Sequence, residues 1–219
     1  MPPESNTTIS ETRQNIWASP GAQNYIPISP AAFSPSFFDA AFARIMEKNM
    51  GRNDPTALIA DKLTAAVITI SDSCASGQRV DRSGPAVVEL LKQRGFSILA
   101  TVMIPDDPPA IGKAILTLSS QARLVVTTGG TGISPRDNTP EATRAVCDRL
   151  LEGVAERMRS EGMKKTPFAA LSRGVCGVSG KSLILNLPGS PSGAVESLEA
   201  VIDLLPHAIQ LLGGTAKHD

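Results

Sequence analysis

The sequence predicts a three-layer α/β domain, with a mostly parallel sheet and helices on both faces. Three observations predict it. From residue 64 onward, short β-branched runs alternate with segments of helical periodicity, and that order needs the crossover connections of a parallel sheet. The runs are continuously apolar rather than alternating, as in "TAAVITI", which marks strands covered on both sides. The 219 residues suit one such domain plus an extension, or two small domains.

The extension comes first. Residues 1–60 hold 7 of the 17 prolines and 2 of the 18 glycines, are rich in Asn, Ser and Thr, and contain no β-run. They read as a largely irregular segment. Within it, "SFFDAAFARIMEKNMG" (36–51) places Phe38, Phe42, Ile45 and Met46 on one helical face, with Ser36 and Gly51 as caps. Such a helix packs on its own domain or a neighbouring subunit, or docks a partner.

The domain spans 61–219. Strands are expected at 64–70, 96–105 and 123–128, and helices at 84–95, 108–122, 140–150 and 152–162. Two further strands, at 174–180 and 181–188, suit a hairpin or bulged pair. A helical stretch at 192–214 is split or kinked by Pro206. No internal repeat is present.

Composition excludes several functions. Formal net charge is +0 and aromatics are 4%, so neither a basic field nor a stacking platform invites nucleic acid. Cys74, Cys147 and Cys176 are widely spaced, and only two histidines accompany them. That argues against zinc and for a reduced, cytoplasmic setting. No run of about 18 apolar residues offers a membrane span, and no signal-peptide pattern opens the chain.

In an open α/β sheet ligands bind beyond the carboxyl ends of the strands, and four loops leave strands there. "SDSCASGQRVDRSG" (71–84) is small and polar, with Asp72, Gly77, Asp81 and Ser83. It is suited to holding a phosphate or ring edge through backbone amides. "PDDPP" (105–109) sets two carboxylates before a helix. Asp107 suits an N-cap, and the pair equally suits a metal or base position. "TTGGTGISPRDNTPEAT" (127–143) is the richest. Gly129, Gly130 and Gly132 allow close approach, positive φ and outward amides. Thr139 is the expected cap, with Pro140 and Glu141 in the first turn. Asp137 beside such a cradle suits Mg²⁺, which takes one or two carboxylates plus substrate phosphates, and Arg136 can clamp a phosphate or tie the loop. Neither a P-loop nor a dinucleotide fingerprint is present. "NLPGSPSG" (186–193) offers a second anion or ring-edge site, or simply a turn and cap.

Taken together, "TTGGTGISPRDNTPEAT", "SDSCASGQRVDRSGP", "TPFAALSR" and "LILNLPGSPSGAVESLEAVIDLLPHAIQLL" resemble the molybdenum-cofactor biosynthesis domain, in order, over residues 62–214. The likeness is greatest to its molybdopterin adenylyltransferase group. The resemblance implies that domain's fold type and a Mg²⁺-dependent reaction. The terminal phosphate of molybdopterin attacks the α-phosphorus of ATP, giving adenylylated molybdopterin and pyrophosphate. The family's two functional aspartates match Asp106 and Asp137, both as Mg²⁺ ligands, with Asp107 one position from the first. Asp72, Ser73, Gly77, Thr128, Gly129, Gly130, Thr131, Gly132, Ser172, Pro188, Gly189, Ser190 and Ser192 are then expected to line the nucleotide and pterin sites. Cys74 is a space-filler rather than a nucleophile. A homotrimer is implied, and a molybdenum-insertion protein is a possible partner. Two rivals stand: a non-catalytic molybdopterin carrier or scaffold, against which both aspartates and the whole glycine loop argue, and a relative acting on another pterin or nucleotide.

Overall fold

The computed structural model describes residues 25–27 and 63–214. The helix expected at 36–51 lies outside them. In chain order the strands are β1 (Tyr25–Pro27), β2 (Thr64–Ile70), β3 (Ser97–Ile104), β4 (Leu124–Thr128), β5 (Arg149–Leu150), β6 (Cys176–Ser179) and β7 (Ser182–Leu187). The helices are α1 (Asp72–Ala75), α2 (Ser83–Gln93), α3 (Pro108–Ser119), α4 (Thr139–Val146), α5 (Glu152–Met163), α6 (Pro191–Glu199) and α7 (Leu205–Gly213).

One sheet runs in the order β1-β3-β2-β4-β7-β6-β5. The first five of these strands are mutually parallel; at the far edge β6 runs antiparallel to β7, and β5 antiparallel to β6. Register is set by burial on both faces. Along β2, Ala65 and Val67 join the core beneath α2, α5, α6 and α7, while Ala66, Ile68 and Ile70 join the core beneath α3 and α4. A one-residue slip would exchange these sets. Each fully buried Ile or Leu of these layers stabilises the fold by about 1.5–3 kcal/mol.

Two elements depart from the sequence expectation. Within the supposedly strand-free first 60 residues, β1 pairs with β3 from Tyr25↔Thr101 to Pro27↔Met103. Three residues are too few to show a period, and proline is tolerated on an outer strand because it owes no amide to a further neighbour. The helix expected at 140–150 stops at Val146, and residues 149–150 become β5. The Asp148 amide donates to Val178 O at 2.7 Å, Leu151 N to Cys176 O at 2.8 Å, and Gly180 N to the Asp148 carboxylate at 2.7 Å. Pairing with β6 thus outcompetes another helical turn.

The C-terminal stretch breaks as expected. A 3₁₀ turn (Ile202–Leu204) separates α6 from α7, and Pro206 stands in the first turn of α7, where its missing N–H costs nothing. Because β2, β3, β4 and β7 are parallel, the loops that follow them gather at one end of the sheet.

Candidate active site

A cleft of ≈ 900 Å³ opens at that end, walled by the loops after β2, β3, β4 and β7. The β2 loop is shaped by local bonds. Ser71 caps α1, its Oγ accepting from Cys74 N at 3.3 Å, and Arg79 N donates to Ser73 O at 2.9 Å. Asp81 is its anchor. One carboxylate oxygen accepts from Ser83 N at 2.9 Å, Ser83 Oγ at 3.0 Å and Gly84 N at 3.1 Å, satisfying the first amides of α2. The other accepts from the Thr69 hydroxyl at 2.7 Å. Ser83 in turn meets Thr128 Oγ1 at 3.0 Å, which couples this loop to the end of β4.

The β3 loop assigns different work to its two aspartates. Asp107 caps α3, its carboxylate accepting from Ala110 N at 3.0 Å. Asp106 lines the cleft and exchanges bonds with the β2 loop: Asp72 N donates to Asp106 Oδ2 at 3.0 Å, and Asp106 N to Asp72 Oδ1 at 3.1 Å. Burial raises the Asp106 carboxyl above its ordinary range. The Asp72 amide opposes this, the charges of Asp72 and Asp137 push it further up, and Arg136 pulls it down. Arg136 is ion-paired with Asp72 across the cleft's rim.

The β4 loop is shaped by contacts from afar. Gly129 has φ 101° and Gly130 φ 63°. A Cβ on Gly129 would meet Ile70 O at 2.2 Å, and one on Gly130 would meet Thr139 Oγ1 at 2.2 Å and Asp106 Oδ1 at 3.2 Å. Thr139 is not the expected cap. It is fully buried, and its hydroxyl donates to Gly129 O at 2.9 Å while its amide donates to Gly130 O at 3.1 Å. It therefore staples the glycine loop shut. The Gly129 amide does not point outward either, but donates to Leu187 O at 3.1 Å. The amides of Gly130, Thr131 and Gly132 meet no acceptor among the described residues. Asp137 lines the cleft, with one carboxylate oxygen accepting from Ser134 N at 2.8 Å.

A second cleft, of ≈ 340 Å³, lies beside the first and shares Gly189 and Ser190 with it. Gly189 packs closely on the glycine loop there: a Cβ would stand 3.3 Å from Gly129 Cα. The glycine loop is the partition. Gly129, Gly130 and Asp137 face the large cleft, and Thr131 and Gly132 the small one. The small cleft mixes apolar walls (Met158, Phe168, Leu171) with polar groups (Arg159, Ser172, Asn186), the composition of a ligand pocket.

The structure thus brings Asp106, Thr128, Gly129, Gly130, Asp137, Gly189 and Ser190 together on the large cleft. Thr131, Gly132, Ser172 and Pro188 belong to the small one. Asp72 reaches the rim through Asp106 and Arg136. Ser73, Gly77 and Ser192 line neither cleft, and Gly77 and Ser192 are solvent-exposed. Gln78, Arg79 and Pro191 line the large cleft without having been expected. Arg173, which braces the partition, also escaped notice, although it ends the quoted "TPFAALSR". Cys74 is buried at the cleft floor, consistent with a filler. Among the described residues no group of three or more His, Cys, Asp and Glu could hold a metal, and no helix is long and apolar enough to cross a membrane.

Comparison with known proteins gives a consistent answer. Residues 66–207 match the family described as a probable molybdopterin binding domain. A Helicobacter pylori (strain J99) molybdopterin adenylyltransferase is 41% identical over 152 residues, covering 68% of this chain and 86% of that protein. The Drosophila melanogaster molybdenum cofactor synthesis protein cinnamon is 38% identical over 157 residues, but the match spans only 26% of its length. The crystal structure of the molybdopterin biosynthesis enzyme MoaB from Thermus thermophilus superposes with a TM-score of 0.66 at 49% identity, over 69% of this chain and 97% of that one. Fold, loop order and sequence agree: the chain belongs to the molybdenum-cofactor biosynthesis domain family.

Proposed function

We propose that this protein is a molybdopterin adenylyltransferase: it transfers AMP from ATP to the terminal phosphate of molybdopterin and releases pyrophosphate. The observation that carries the reading is the pair of clefts meeting at Gly189–Ser190 on either side of one glycine loop. Two substrates held in adjoining pockets react where the pockets join, and holding them in line supplies most of what phosphoryl-type transfer needs. The relatives named as adenylyltransferases support it.

In this reading a terminal phosphate oxygen of the pterin attacks the α-phosphorus of ATP, the α–β bridging P–O bond breaks, and pyrophosphate departs. No general base is required, because the attacking phosphate is already ionised. In this reading the amides of Gly130, Thr131 and Gly132, which meet no acceptor among the described residues, receive phosphate oxygens. Asp106 and Asp137 are the residues that would hold Mg²⁺. The donor set fits: Asp106 and Asp137 line the same cleft, their mutual repulsion is one that a bound cation would relieve, and a site with few carboxylates takes Mg²⁺ together with substrate phosphates. The ion would neutralise charge on the phosphates and the leaving group. Assembly as a homotrimer, a cytoplasmic setting and hand-over to a molybdenum-insertion protein complete the reading.

The test is pyrophosphate release from ATP with Mg²⁺, with and without molybdopterin, for wild type and Asp137→Ala. Release that requires both pterin and metal and is lost in the variant is expected. Tight pterin binding without any release would replace this reading with the carrier one.

A further inference from the structure

We infer that Arg173 is a positioning residue that sets the partition between the two clefts, and that its guanidinium governs turnover without touching either substrate. This rests on the adenylyl-transfer reading for its kinetic consequence, but not for its structural one. Arg173 lines neither cleft. Its backbone amide donates to Thr131 O at 2.9 Å. Its Nε donates to Gly132 O at 2.6 Å, and its two terminal nitrogens donate to Asp137 O and to the Glu141 carboxylate. One side chain therefore grips the loop at its turn, at the candidate metal-binding aspartate and at the first turn of α4.

The grip has a firm base. Gly174 packs so closely on β7 that a Cβ would meet Asn186 O at 2.9 Å. Val175 and Asn186 exchange bonds: Asn186 N donates to Val175 O at 2.9 Å, and Val175 N to Asn186 Oδ1 at 3.3 Å. The Asn186 side-chain Nδ2 donates to Thr127 Oγ1 at 3.0 Å and Thr143 Oγ1 at 2.9 Å, linking β7 to β4 and α4. Arg173 thus transmits the position of the sheet to residues 131–137, whose other bonds are chiefly those within the Ser134–Asp137 turn and the Arg136–Asp72 ion pair. Only a guanidinium serves, since its planar fork reaches three acceptors in different directions and an ammonium does not reproduce that geometry. Loss of the fork would let Asp137 and the phosphate-facing amides drift, and misplacement near 1 Å costs about 100-fold in rate.

The test compares wild type, Arg173→Ala, Arg173→Lys and Asp137→Ala by steady-state pyrophosphate release and by hydrogen exchange. Arg173→Ala is expected to lose about 100-fold in kcat while KM for ATP moves by less than about threefold. Arg173→Lys should recover no more than about a tenth of the wild-type kcat, and millimolar guanidinium should restore activity to Arg173→Ala but not to Asp137→Ala. Amides of residues 130–137 should exchange faster in Arg173→Ala while those of β4 and β7 keep their protection. A kcat within about twofold of wild type, or exchange accelerated equally in loop and strands, would overturn the proposal. If wild type itself releases no pyrophosphate, the functional reading falls alone, and the contrast in exchange between loop and strands still decides the clamp.

Discussion

The loops after β2 and β4 face each other across the same cleft and differ in how much of their support comes from afar. The β2 loop is built mainly on near neighbours: a one-turn helix capped by Ser71, and Asp81 bonded to Ser83, Gly84 and Thr69, with Asp72 and Ser83 tying it across to Asp106 and Thr128. The β4 loop has local bonds of its own, from Thr139 to Gly129 O and Gly130 O and within the Ser134–Asp137 turn, but it is also fitted against Ile70, Leu187 and Gly189 and held by Arg173, which come from other strands and loops. A locally held loop tolerates changes around it, whereas a loop held from outside is only as well placed as its neighbours. The residues expected to meet phosphate sit on the second kind.

The sharpest break between the two is chemical. Asp137→Ala should lower adenylyl transfer by about 100-fold or more, yet cost less than about 1 kcal/mol of stability, since it deletes a single bond to Ser134 N in an exposed turn. Asp81→Ala should cost about 2 kcal/mol, because it removes the acceptor of the Ser83 and Gly84 amides that open α2, and one bond of the Thr69 hydroxyl. Thermal melts run beside pyrophosphate assays separate the two; equal losses of stability would erase the distinction drawn here.

The same substitution in each loop tests it next. Gly129→Ala meets both a positive φ and a carbonyl at 2.2 Å, and should destabilise by about 3 kcal/mol or more. Gly77→Ala meets a positive φ alone, with nothing within 4 Å, and should cost about 1 kcal/mol. In a domain of this size that is a fall in Tm of roughly 2–4 °C for Gly77→Ala and about three times as much for Gly129→Ala.

Asp106 lies at the seam of the two loops. Its folded-state carboxyl sits above the ordinary value, so the native state binds the proton more tightly than the unfolded chain does. Stability from that difference is present in acid and lost as pH rises through the raised value. Asp106→Asn in metal-free protein should therefore match wild type below the ordinary carboxylate range and become the more stable of the two above it. Urea unfolding at several pH values reads this directly, and a wild type that gains on the variant with rising pH would contradict it.

The smallest effect lies away from both loops. Burial pushes the Cys147 thiol up to about 11 and the Cys176 thiol up to about 12. Both should resist alkylation at neutral pH in the folded protein and label on unfolding, because the thiolate is the reactive form. Rapid labelling of either at pH 7, followed by peptide mass spectrometry, would show that this edge of the sheet opens.

Much of the frame was legible in the sequence because its signals are local. "TAAVITI" is a strand at the expected residues, Asp107 caps its helix, and Pro206 marks the start of the last one. Thr139 misled because a threonine before a proline reads as a cap whether its hydroxyl turns toward its own helix or toward Gly129. Ser192 misled because motif membership does not say which way a side chain faces.

The sequence by itself determined the order of elements, a largely parallel sheet, and the strand ends where the candidate site gathers, since periodicity, caps and glycine clusters act over a few residues. Tertiary structure alone decided that Asp106 exchanges bonds with Asp72 at the cleft, that one glycine loop divides two clefts, and that Arg173 holds it. Those outcomes depend on segments some 40 residues apart meeting to within an ångström, and such an approach is set by how the layers pack and leaves no periodic mark in the chain.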